Sequence, residues 1–459
     1  MKIMLCLAPW DLWEQEEDTM YPLGLAYLGA ILEKHGHTTE LLNLTNSNWD
    51  KIKFSAEKKI KEFNPDVFGI SILSNSRVST KKVLTLVRKI SPKIIIIAGG
   101  VHTTFLYEQI LNYYPVDYAV LGEADYTILD LIEAIEKKKP LSFFRKIKGI
   151  AFKNKNEIIT NCSQERIKNL DLLPFPKHEY FQNIIKKNKI AYIMSSRGCP
   201  FNCTFCPSSA YWGRRMVQRS AENVFEEMLY LKKKFPEIEI IRFLDDEFVV
   251  NNQRVIEICK LIIKNNFKIA WGCLGRASSM NEELLKWMKK AGCFEITFGV
   301  ESGSQRILDR IGKKVRIKQI IDTFKLCKQY KINTRCLTMV GNIGENSESV
   351  KETIKLAKIL KIRTEPAILI VFPGTEVYKV AKQKGFLDDT YWLGQGLPPL
   401  FNVEHPKYKL WWWSFKTGLI TNFYADDGDL NGFLKMKFLN KINSHNFLRI
   451  FKRYVSDKF

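Results

Sequence analysis

Short apolar runs alternate with amphipathic segments along most of this chain, and the alternation limits the folds that it can adopt. In the first part, strand-length runs are separated by segments with helical periodicity, such as 23–36 and 80–90. The strand candidates are residues 2–8, 38–44, 66–72, 93–99 and 117–122. Such alternation predicts a doubly wound, flavodoxin-like α/β domain with a parallel sheet over residues 1–145.

A second series of strand candidates begins near residue 190 and again alternates with helical segments. Its members are residues 191–196, 238–244, 268–274, 294–300, 334–340 and 367–373. About six strand–helix units in ~200 residues are fewer than a complete (β/α) barrel contains. We therefore predict a partial barrel over residues 191–395, with reactive groups on the loops that follow its strands.

Two segments break the alternation. Residues 146–190 combine prolines with mixed polarity, which predicts a linker. Residues 396–459 contain the aromatic run 410–424 and then a basic stretch, and they predict a helical C-terminal extension. We expect Trp411, Trp412 and Trp413 either to cover the barrel mouth as core or to contact a membrane surface.

Charge and composition indicate the class of partner and the cellular compartment to expect. The chain has 71 Lys and Arg against 49 Asp and Glu, a formal net charge of +22. This surplus favours acidic partners, but a Lys-rich composition alone gives no reason to expect specific nucleic-acid binding. No apolar run reaches the ~20 residues that span a bilayer, and ten scattered cysteines do not resemble a secreted disulfide framework. We expect a cytoplasmic protein with reduced or metal-bound thiols.

Three cysteines lie within eight residues, directly after the first predicted barrel strand. In MSSRGCPFNCTFCPSS, Cys199, Cys203 and Cys206 can reach one metal centre. A structural zinc ion normally takes four protein ligands, whereas three thiolates on an iron–sulfur cubane leave one iron open. Zinc would therefore need a fourth cysteine from positions whose patterns are typical of buried side chains. These positions are Cys259, Cys273, Cys293, Cys327 and Cys336.

The triplet, with Phe205 before its last cysteine, resembles the signature of the radical S-adenosylmethionine (SAM) enzymes. The resemblance implies a 4Fe-4S cluster held by the three cysteines, with Phe205 beside the adenine of SAM. In this family the open iron binds SAM, and reduction of the cluster cleaves it to a 5′-deoxyadenosyl radical. A thiolate-bound cluster is among the few biological groups that can supply an electron at the low potential required.

Motifs at the ends of later strands resemble the same family. FLDDEF (243–248), GVESGS (299–304) and MVGNIGEN (339–346) stand where family members contact the ammonium, the ribose and methionine parts, and the adenine of SAM. The implied SAM contacts are Asp245, Asp246, Glu247, Glu301, Ser302 and Gly341. FPGTEVY (372–378) resembles a motif of the cobalamin-linked branch. Arg276, in GRAS, either pairs with a carboxylate or lies on the surface.

The first domain is similar to the cobalamin-binding domain of cobalamin-dependent radical SAM proteins. The similarity rests on residues 21–37, 65–72, 99–104 and 117–125, and it implies a corrin over the carboxyl ends of the strands. The implied cobalamin contacts are Gly99, Gly100, His102 and Gly122. The chain lacks the Asp-x-His-x-x-Gly string of mutase-type domains, so either cobalt has no histidine beneath it or the domain has lost the cofactor.

Together these resemblances imply a cobalamin-dependent radical SAM enzyme that methylates an unactivated carbon of an unknown substrate. Two alternatives remain open: a cobalamin-dependent radical SAM cyclase or oxidoreductase similar to tetrapyrrole cyclases, and a non-catalytic cobalamin or SAM sensor. The enzyme would need a reductant such as flavodoxin or ferredoxin. Its acceptor would be a small molecule, a lipid or a peptide, and the aromatic C-terminus leaves peripheral membrane contact open.

Overall fold

The computed structural model describes residues 1–9, 21–44, 49–364 and 366–426. The chain forms two compact units and passes between them several times. The first unit comprises Met1–Pro200, Cys206–Asp246 and Phe372–Pro399. The second comprises Phe201–Phe205, Glu247–Val371 and the described residues from Leu400 onwards.

The large sheet of the first unit matches the predicted doubly wound domain. Its strands are β1 (Lys2–Leu7), β2 (Thr38–Asn43), β3 (Val67–Ser71), β4 (Ile95–Gly99), β5 (Tyr118–Val120), β6 (Ile150–Asn154) and β7 (Glu157–Thr160). They lie in the order β2, β1, β3, β4, β5, β6, β7. β1 to β5 are parallel in the flavodoxin-like order, which confirms the prediction. The antiparallel strands β6 and β7 extend the β5 edge and lie within the segment predicted as a linker.

Helices connect the parallel strands of this sheet. They are α1 (Leu23–Lys34), α2 (Trp49–Phe63), α3 (Arg77–Ile90), α4 (Val101–Tyr113), α5 (Asp125–Glu136) and α6 (Leu141–Phe144). α2 buries Ile52, Ala56 and Ile60, and α3 buries Val83 and Val87, in one core with the sheet. These apolar residues recur every four positions, so each helix presents one continuous apolar face to the strands.

The remaining elements of the first unit include the predicted first two barrel strands. In chain order the elements are α7 (Gln182–Asn188), β8 (Ile190–Ile193), β9 (Ser196–Arg197), α8 (Pro207–Trp212), β10 (Val217–Gln218), α9 (Ala221–Lys234) and β11 (Ile240–Phe243). β8 and β11 pair in parallel, as in a barrel, whereas β9 and β10 pair antiparallel. Residues 198–206, which carry the three cysteines and are called the cysteine segment, begin directly after β9.

The second unit contains the other predicted barrel strands. Its elements are α10 (Asn252–Lys264), β12 (Ala270–Gly275), α11 (Glu282–Lys290), β13 (Cys293–Glu301), α12 (Gln305–Arg310), α13 (Ile317–Gln329), β14 (Asn333–Val340), α14 (Ser347–Leu360) and β15 (Ala367–Ile368). β12, β13, β14 and β15 are parallel neighbours in this order. The predicted strands of the partial barrel are thus all present, and the strand–helix repeat is the one expected.

The chain returns to the first unit after β15. This return segment, residues 372–399, contains α15 (Glu376–Gln383). The buried Arg77 donates from Nε to the carbonyl oxygen of Trp392 at 3.1 Å and from Nη2 to that of Gly394 at 3.2 Å. Its guanidinium also lies over the Trp392 ring, 5.2 Å from the centroid. One arginine with five N–H donors therefore anchors the return segment on the first helix turn after β3.

The C-terminal extension begins as the predicted helix. α16 (Lys407–Tyr424) packs Leu410 and Trp413 against Val340 and Ile354 of the second unit. Trp413 is buried, while Trp411 and Trp412 are half exposed, so the tryptophan run does not act as a single block of core. The basic stretch after residue 426 lies outside the described residues, as do residues 10–20.

Candidate functional site

The cysteine segment leaves β9 through a turn that requires glycine. Gly198 has φ +89°, and a Cβ there would lie 2.2 Å from the carbonyl oxygen of Arg215. Cys199 and Cys206 are partly exposed and Cys203 is buried, and none of the ten cysteines forms a disulfide. Of the triplet, Cys203 belongs to the second unit and the other two belong to the first.

The N-terminal flank of the cysteine segment is held by a buried ion cluster in the first unit. Arg197 Nη1 donates to Glu123 Oε1 at 2.7 Å and to Asp125 Oδ2 at 2.6 Å, and Nη2 donates to Asp125 Oδ1 at 3.1 Å. The three side chains are between 5% and 7% exposed. The guanidinium also lies over the Tyr27 ring, 5.0 Å from the centroid. This Arg197 cluster fixes the entry to the cysteine segment against the loop after β5.

The C-terminal flank is attached to the same loop. Tyr211, on α8, donates its hydroxyl hydrogen to the carbonyl oxygen of Gly122 at 2.7 Å. Arg166 donates to the carbonyl oxygens of Arg197 at 3.2 Å and Arg215 at 2.8 Å, and it lies over the Trp212 ring. Both flanks of the cysteine segment are therefore tied to residues 122–125, where the resemblance places cobalamin.

In the second unit, Cys203 lies in a region rich in charge. Thr204 donates its N–H to the carbonyl oxygen of Ile311 at 3.0 Å, which holds the loop before α13 against the cysteine segment. The buried Lys313 follows, and its Nζ lies 2.9 Å from Glu301 Oε1. Burial alone would lower the pKa of Lys313, but the charges of Glu301 and Cys203 raise it above its ordinary value. Lys313 thus stays a cation near a thiol that is expected to act as a thiolate.

Arg276 is a buried cation with unused donor capacity. It is 4% exposed, and its guanidinium lies over the Phe201 ring, 3.8 Å from the centroid. Nε donates to Ser278 Oγ at 3.1 Å, but Nη2 is buried without a hydrogen-bond partner among the described residues. Because a buried unpaired donor costs free energy, this atom points to a bound acceptor, and a carboxylate such as that of SAM fits it.

Glu301 adopts a backbone conformation that is rare for residues other than glycine. Its φ is +66°, and the pairing register between β13 and β14 shifts between Gly299 and Glu301. Its side chain is held by the ion pair with Lys313. Strained residues of this kind cluster at functional sites, and this one lies at the strand end where the resemblance places SAM.

The three acidic residues after β11 have different surroundings. Asp245 is buried and accepts hydrogen bonds from Ser195 Oγ at 2.8 Å and from Ser196 Oγ. Asp246 is exposed and accepts one from Ser208 Oγ at 2.6 Å. Asp245 therefore fixes the chain that leads into the cysteine segment, while Asp246 keeps carboxylate capacity facing solvent.

Glu247, the third acidic residue, belongs to the second unit. Its Oε1 accepts the N–H of Arg276 at 3.1 Å. Burial raises the pKa of Glu247 to about 7, opposed by the positive charges of Lys313 and Arg276. In this buried region the cations Lys313 and Arg276 therefore face the carboxylates Glu247 and Glu301.

The two remaining SAM candidates of the second unit lie in tight loops. Ser302 Oγ accepts the N–H of Ser304 at 3.1 Å, so it shapes the turn after β13. Gly341 has φ +87°, and its N–H donates to Glu345 Oε2 at 2.6 Å. A Cβ at Gly341 would lie 3.2 Å from Leu410 of α16, which leaves little room for any other residue. Phe205 is partly buried.

The cobalamin candidates line the carboxyl edge of the large sheet. Gly100 has φ +96°, and a Cβ there would lie 2.8 Å from the carbonyl oxygen of Ile72, so the turn into α4 requires glycine. Gly99, which precedes it, is partly exposed. Gly122 has φ +73°, and nothing lies within 4 Å of the position of a Cβ. Gly122 is therefore the glycine of this group with open space beside it, at the edge where ligands of such sheets bind.

His102 lies beneath the return segment. It is 1% exposed, its Nδ1 is 3.0 Å from Ser74 Oγ, and its ring meets the Trp392 ring edge-on at 5.5 Å. Burial, with a smaller effect of the Arg77 charge, lowers the pKa of His102 to about 3, so the imidazole is neutral. Its contact with cobalamin stays a prediction.

The other cysteines of the barrel region are separate from the triplet. Cys259, Cys273, Cys293 and Cys327 are buried, and burial raises the pKa of the Cys327 thiol to about 12. Among the described residues, no three His, Cys, Asp or Glu side chains converge as a single metal ion would require. In a cubane each thiolate binds a different iron, so the triplet has the donor chemistry of a cluster without converging on one atom.

Sequence reasoning missed Lys313, Phe201 and Trp392. A lysine after a helix and an aromatic residue between two cysteines carry no local signal of function, because each gains its role from a distant partner. Trp392 lies in the last part of the predicted barrel, residues 191–395, which the structure assigns to the return segment. The positive φ of Glu301, by contrast, lies within the GVESGS motif that the sequence had singled out.

Family models match both parts of the chain. The B12 binding domain model matches residues 15–132, and the Radical SAM superfamily model matches residues 193–357. An uncharacterized methyltransferase of Pyrococcus horikoshii is 32% identical over 418 residues, covering 88% of this chain and 88% of that protein. An anaerobic magnesium-protoporphyrin IX monomethyl ester cyclase of Rubrivivax gelatinosus is 27% identical over 73% of this chain, and the chain spans only 62% of its length.

Solved structures share the fold. The radical SAM methyltransferase TsrM from Kitasatospora setae aligns with a TM-score of 0.71 at 18% identity, covering 84% of this chain and 76% of that chain. The cobalamin-dependent SAM radical enzyme OxsB aligns with a TM-score of 0.67 at 24% identity, covering 85% and 56%. These likenesses confirm the fold class, a doubly wound domain followed by a partial barrel. The two family models and the Pyrococcus relative carry the assignment further: the cofactors of the chain are a 4Fe-4S cluster, SAM and cobalamin, and the protein belongs to the radical SAM superfamily, in the branch that carries a B12-binding domain.

Proposed function

We propose that this enzyme transfers a methyl group to an unactivated carbon of a small-molecule substrate. The observation that carries the proposal is the match to the methyltransferase of Pyrococcus horikoshii, which runs through 88% of both chains. A cytidylyl-2-hydroxyethylphosphonate methyltransferase of Streptomyces wedmorensis also aligns over 92% of this chain, at 24% identity. The cyclase match covers 73% of this chain at 27% identity, less on both counts than the Pyrococcus match. We therefore favour methyl transfer over cyclisation.

The residues of the chain fit the three cofactors. Cys199, Cys203 and Cys206 would hold the cluster, and the glycine-lined edge at Gly100 and Gly122 would receive cobalamin. When bound, the cluster supplies the electron that cleaves SAM, and cobalamin carries a methyl group. An external one-electron donor is required, for which flavodoxin or ferredoxin is the expected class.

The protein's own contribution is binding, orientation and charge. Arg276 Nη2 would bind the SAM carboxylate, while Glu247 and Asp246 are the candidate acceptors for its ammonium group. Lys313 would balance thiolate charge at Cys203. The hydrogen bond between Arg77 and Trp392 holds the return segment over the sheet edge. The Trp392 ring then covers His102 and would exclude water from it.

Product analysis tests the proposed reaction. Anaerobic enzyme, supplied with SAM, a strong reductant and small-molecule extract of the source cell, should form S-adenosylhomocysteine, 5′-deoxyadenosine and one compound heavier by a methyl group. An oxidised or cyclised product without S-adenosylhomocysteine would favour the cyclase alternative. Bound cofactors without any 5′-deoxyadenosine would favour the sensor.

Removal of the Arg276 guanidinium should weaken SAM binding. Arg276→Met is expected to raise the dissociation constant of SAM by about 10- to 100-fold, because a charge-assisted hydrogen bond contributes ~1.5–3 kcal/mol. Equilibrium dialysis of SAM against cluster-loaded protein measures the effect. Arg145→Met, at an exposed arginine, is the control and should bind SAM as the parent does. Equal SAM affinity in Arg276→Met and the parent would contradict the assignment.

A further inference from the structure

The outer face of α16 carries large aromatic side chains in solvent. We name Tyr408, Trp411, Trp412 and Phe423 the aromatic stripe. Their side chains are 50%, 49%, 57% and 68% exposed. Trp411 and Trp412 follow Tyr408 by three and four residues, and Phe423 follows Trp412 by eleven, about three helical turns, so the four side chains share one side of the helix. The opposite side buries Leu410, Trp413 and Thr417 in the second unit.

The charged residues of α16 are all positive. The helix contains Lys407, Lys409 and Lys416 and no Asp or Glu. Beyond the described residues, positions 427–459 of the sequence add seven Lys and Arg against three Asp. Exposed aromatic residues beside lysines are typical of a segment that lies in a membrane interface. Anionic lipid headgroups would complement this charge.

From the aromatic stripe and the uniformly positive charge of α16, we infer that this helix binds the surface of an anionic lipid bilayer. Trp411, Trp412 and Phe423 enter the headgroup region, and the lysines contact lipid phosphates. The helix lies on the bilayer and does not cross it, since no helix in the described part of the chain is long and apolar enough to span a membrane. The inference does not depend on the proposed reaction.

Vesicle flotation of the full-length holoenzyme tests the inference. With phosphatidylglycerol vesicles the protein should rise through the density gradient, and with phosphatidylcholine vesicles most of it should stay at the bottom. Trp411→Ser with Trp412→Ser should weaken partitioning at least about tenfold, the loss expected when two large apolar side chains are removed from a buried environment. Quenching of tryptophan fluorescence by brominated lipid should fall in parallel.

A matched control removes equal aromatic surface elsewhere. Phe54 and Tyr113 are 70% and 54% exposed on helices of the first unit. Phe54→Ser with Tyr113→Ser should float as the parent does. Circular dichroism melting of both double variants checks that the fold is retained, and lipid binding is measured without SAM, so a failed methyl-transfer assay has no bearing on it.

Four outcomes would overturn the inference. The full chain stays at the bottom with phosphatidylglycerol vesicles, or the tryptophan double variant floats as well as the parent. Alternatively, the chain truncated after Asp426 floats whereas the full chain does not, which would mean that the C-terminal residues cover the stripe. Concentration-dependent dimers that the tryptophan substitutions abolish, without vesicle binding, would assign the stripe to a second copy and equally overturn it.

Discussion

Cys203→Ala is expected to remove the bound iron and to stop reductive cleavage of SAM altogether. The cluster has three thiolate ligands from the chain, and Cys203 is the buried one, beside Lys313. Loss of a single thiolate leaves two irons without protein ligands, and such a cluster is not retained. Iron content, the electron-spin spectrum of the reduced protein and 5′-deoxyadenosine formation measure the effect.

Cys162→Ala serves as the control for this experiment. Cys162 is an exposed thiol of the first unit, outside the cysteine segment. We expect it to keep the iron content and SAM cleavage of the parent. If Cys203→Ala kept both, the cluster assignment would be wrong.

Arg197→Met should destabilise the apo protein by about 3–5 kcal/mol, because it strands the buried carboxylate of Asp125 without its cation and leaves Glu123 with the more distant Arg166, whose Nε lies 4.0 Å from Oε2. Glu123 and Asp125 lie 2.7 Å and 2.6 Å from Arg197 Nη1, and their side chains are about as buried as the arginine. Urea unfolding of protein purified without cluster or cobalamin measures the free energy of unfolding. Use of the apo protein separates this loss from any loss of cofactor.

A surface ion pair provides the comparison for Arg197. Arg316 Nη1 lies 3.6 Å from Asp309 Oδ2, and the side chains are 70% and 54% exposed. Arg316→Met should therefore change stability by less than ~1 kcal/mol, because solvent screens an exposed pair. Similar losses in both variants would show that the Arg197 cluster contributes no more than an exposed pair.

The Arg197 cluster also has a consequence for function. It joins the entry of the cysteine segment to residues 122–125, and Tyr211 joins the exit to Gly122. Both attachments lie in the first unit, and they act through hydrogen bonds shorter than about 3 Å. Arg197 is thus a positioning residue for the loop that carries the thiolates, whereas Arg276 is expected to touch SAM itself.

Local patterns in the sequence were sufficient for the main architecture. β1 to β5 are buried strands between amphipathic helices, and this burial imposes the periodicity that predicted the sheet. The cysteine triplet was equally visible, since its chemistry depends on spacing along one short segment. The hairpin of β6 and β7 was missed, because its short strands of mixed polarity have the pattern of a linker as well as of edge strands.

Tertiary structure alone decided which side chains meet. No spacing rule links Arg77 with Trp392, or Arg197 with Asp125, because the pairs are 315 and 72 residues apart. The tryptophan run shows the same limit: Trp413 is buried while its neighbours are half exposed, since the rotation of α16 about its axis is set by packing against β14 and α14. The sequence by itself determined the sheet, the barrel strands and the thiolate donors, through patterns repeated over a few residues. The ion pairs, the unused donor of Arg276 and the exposed aromatic stripe were decided by the folded chain, because burial and partner choice depend on contacts between distant segments.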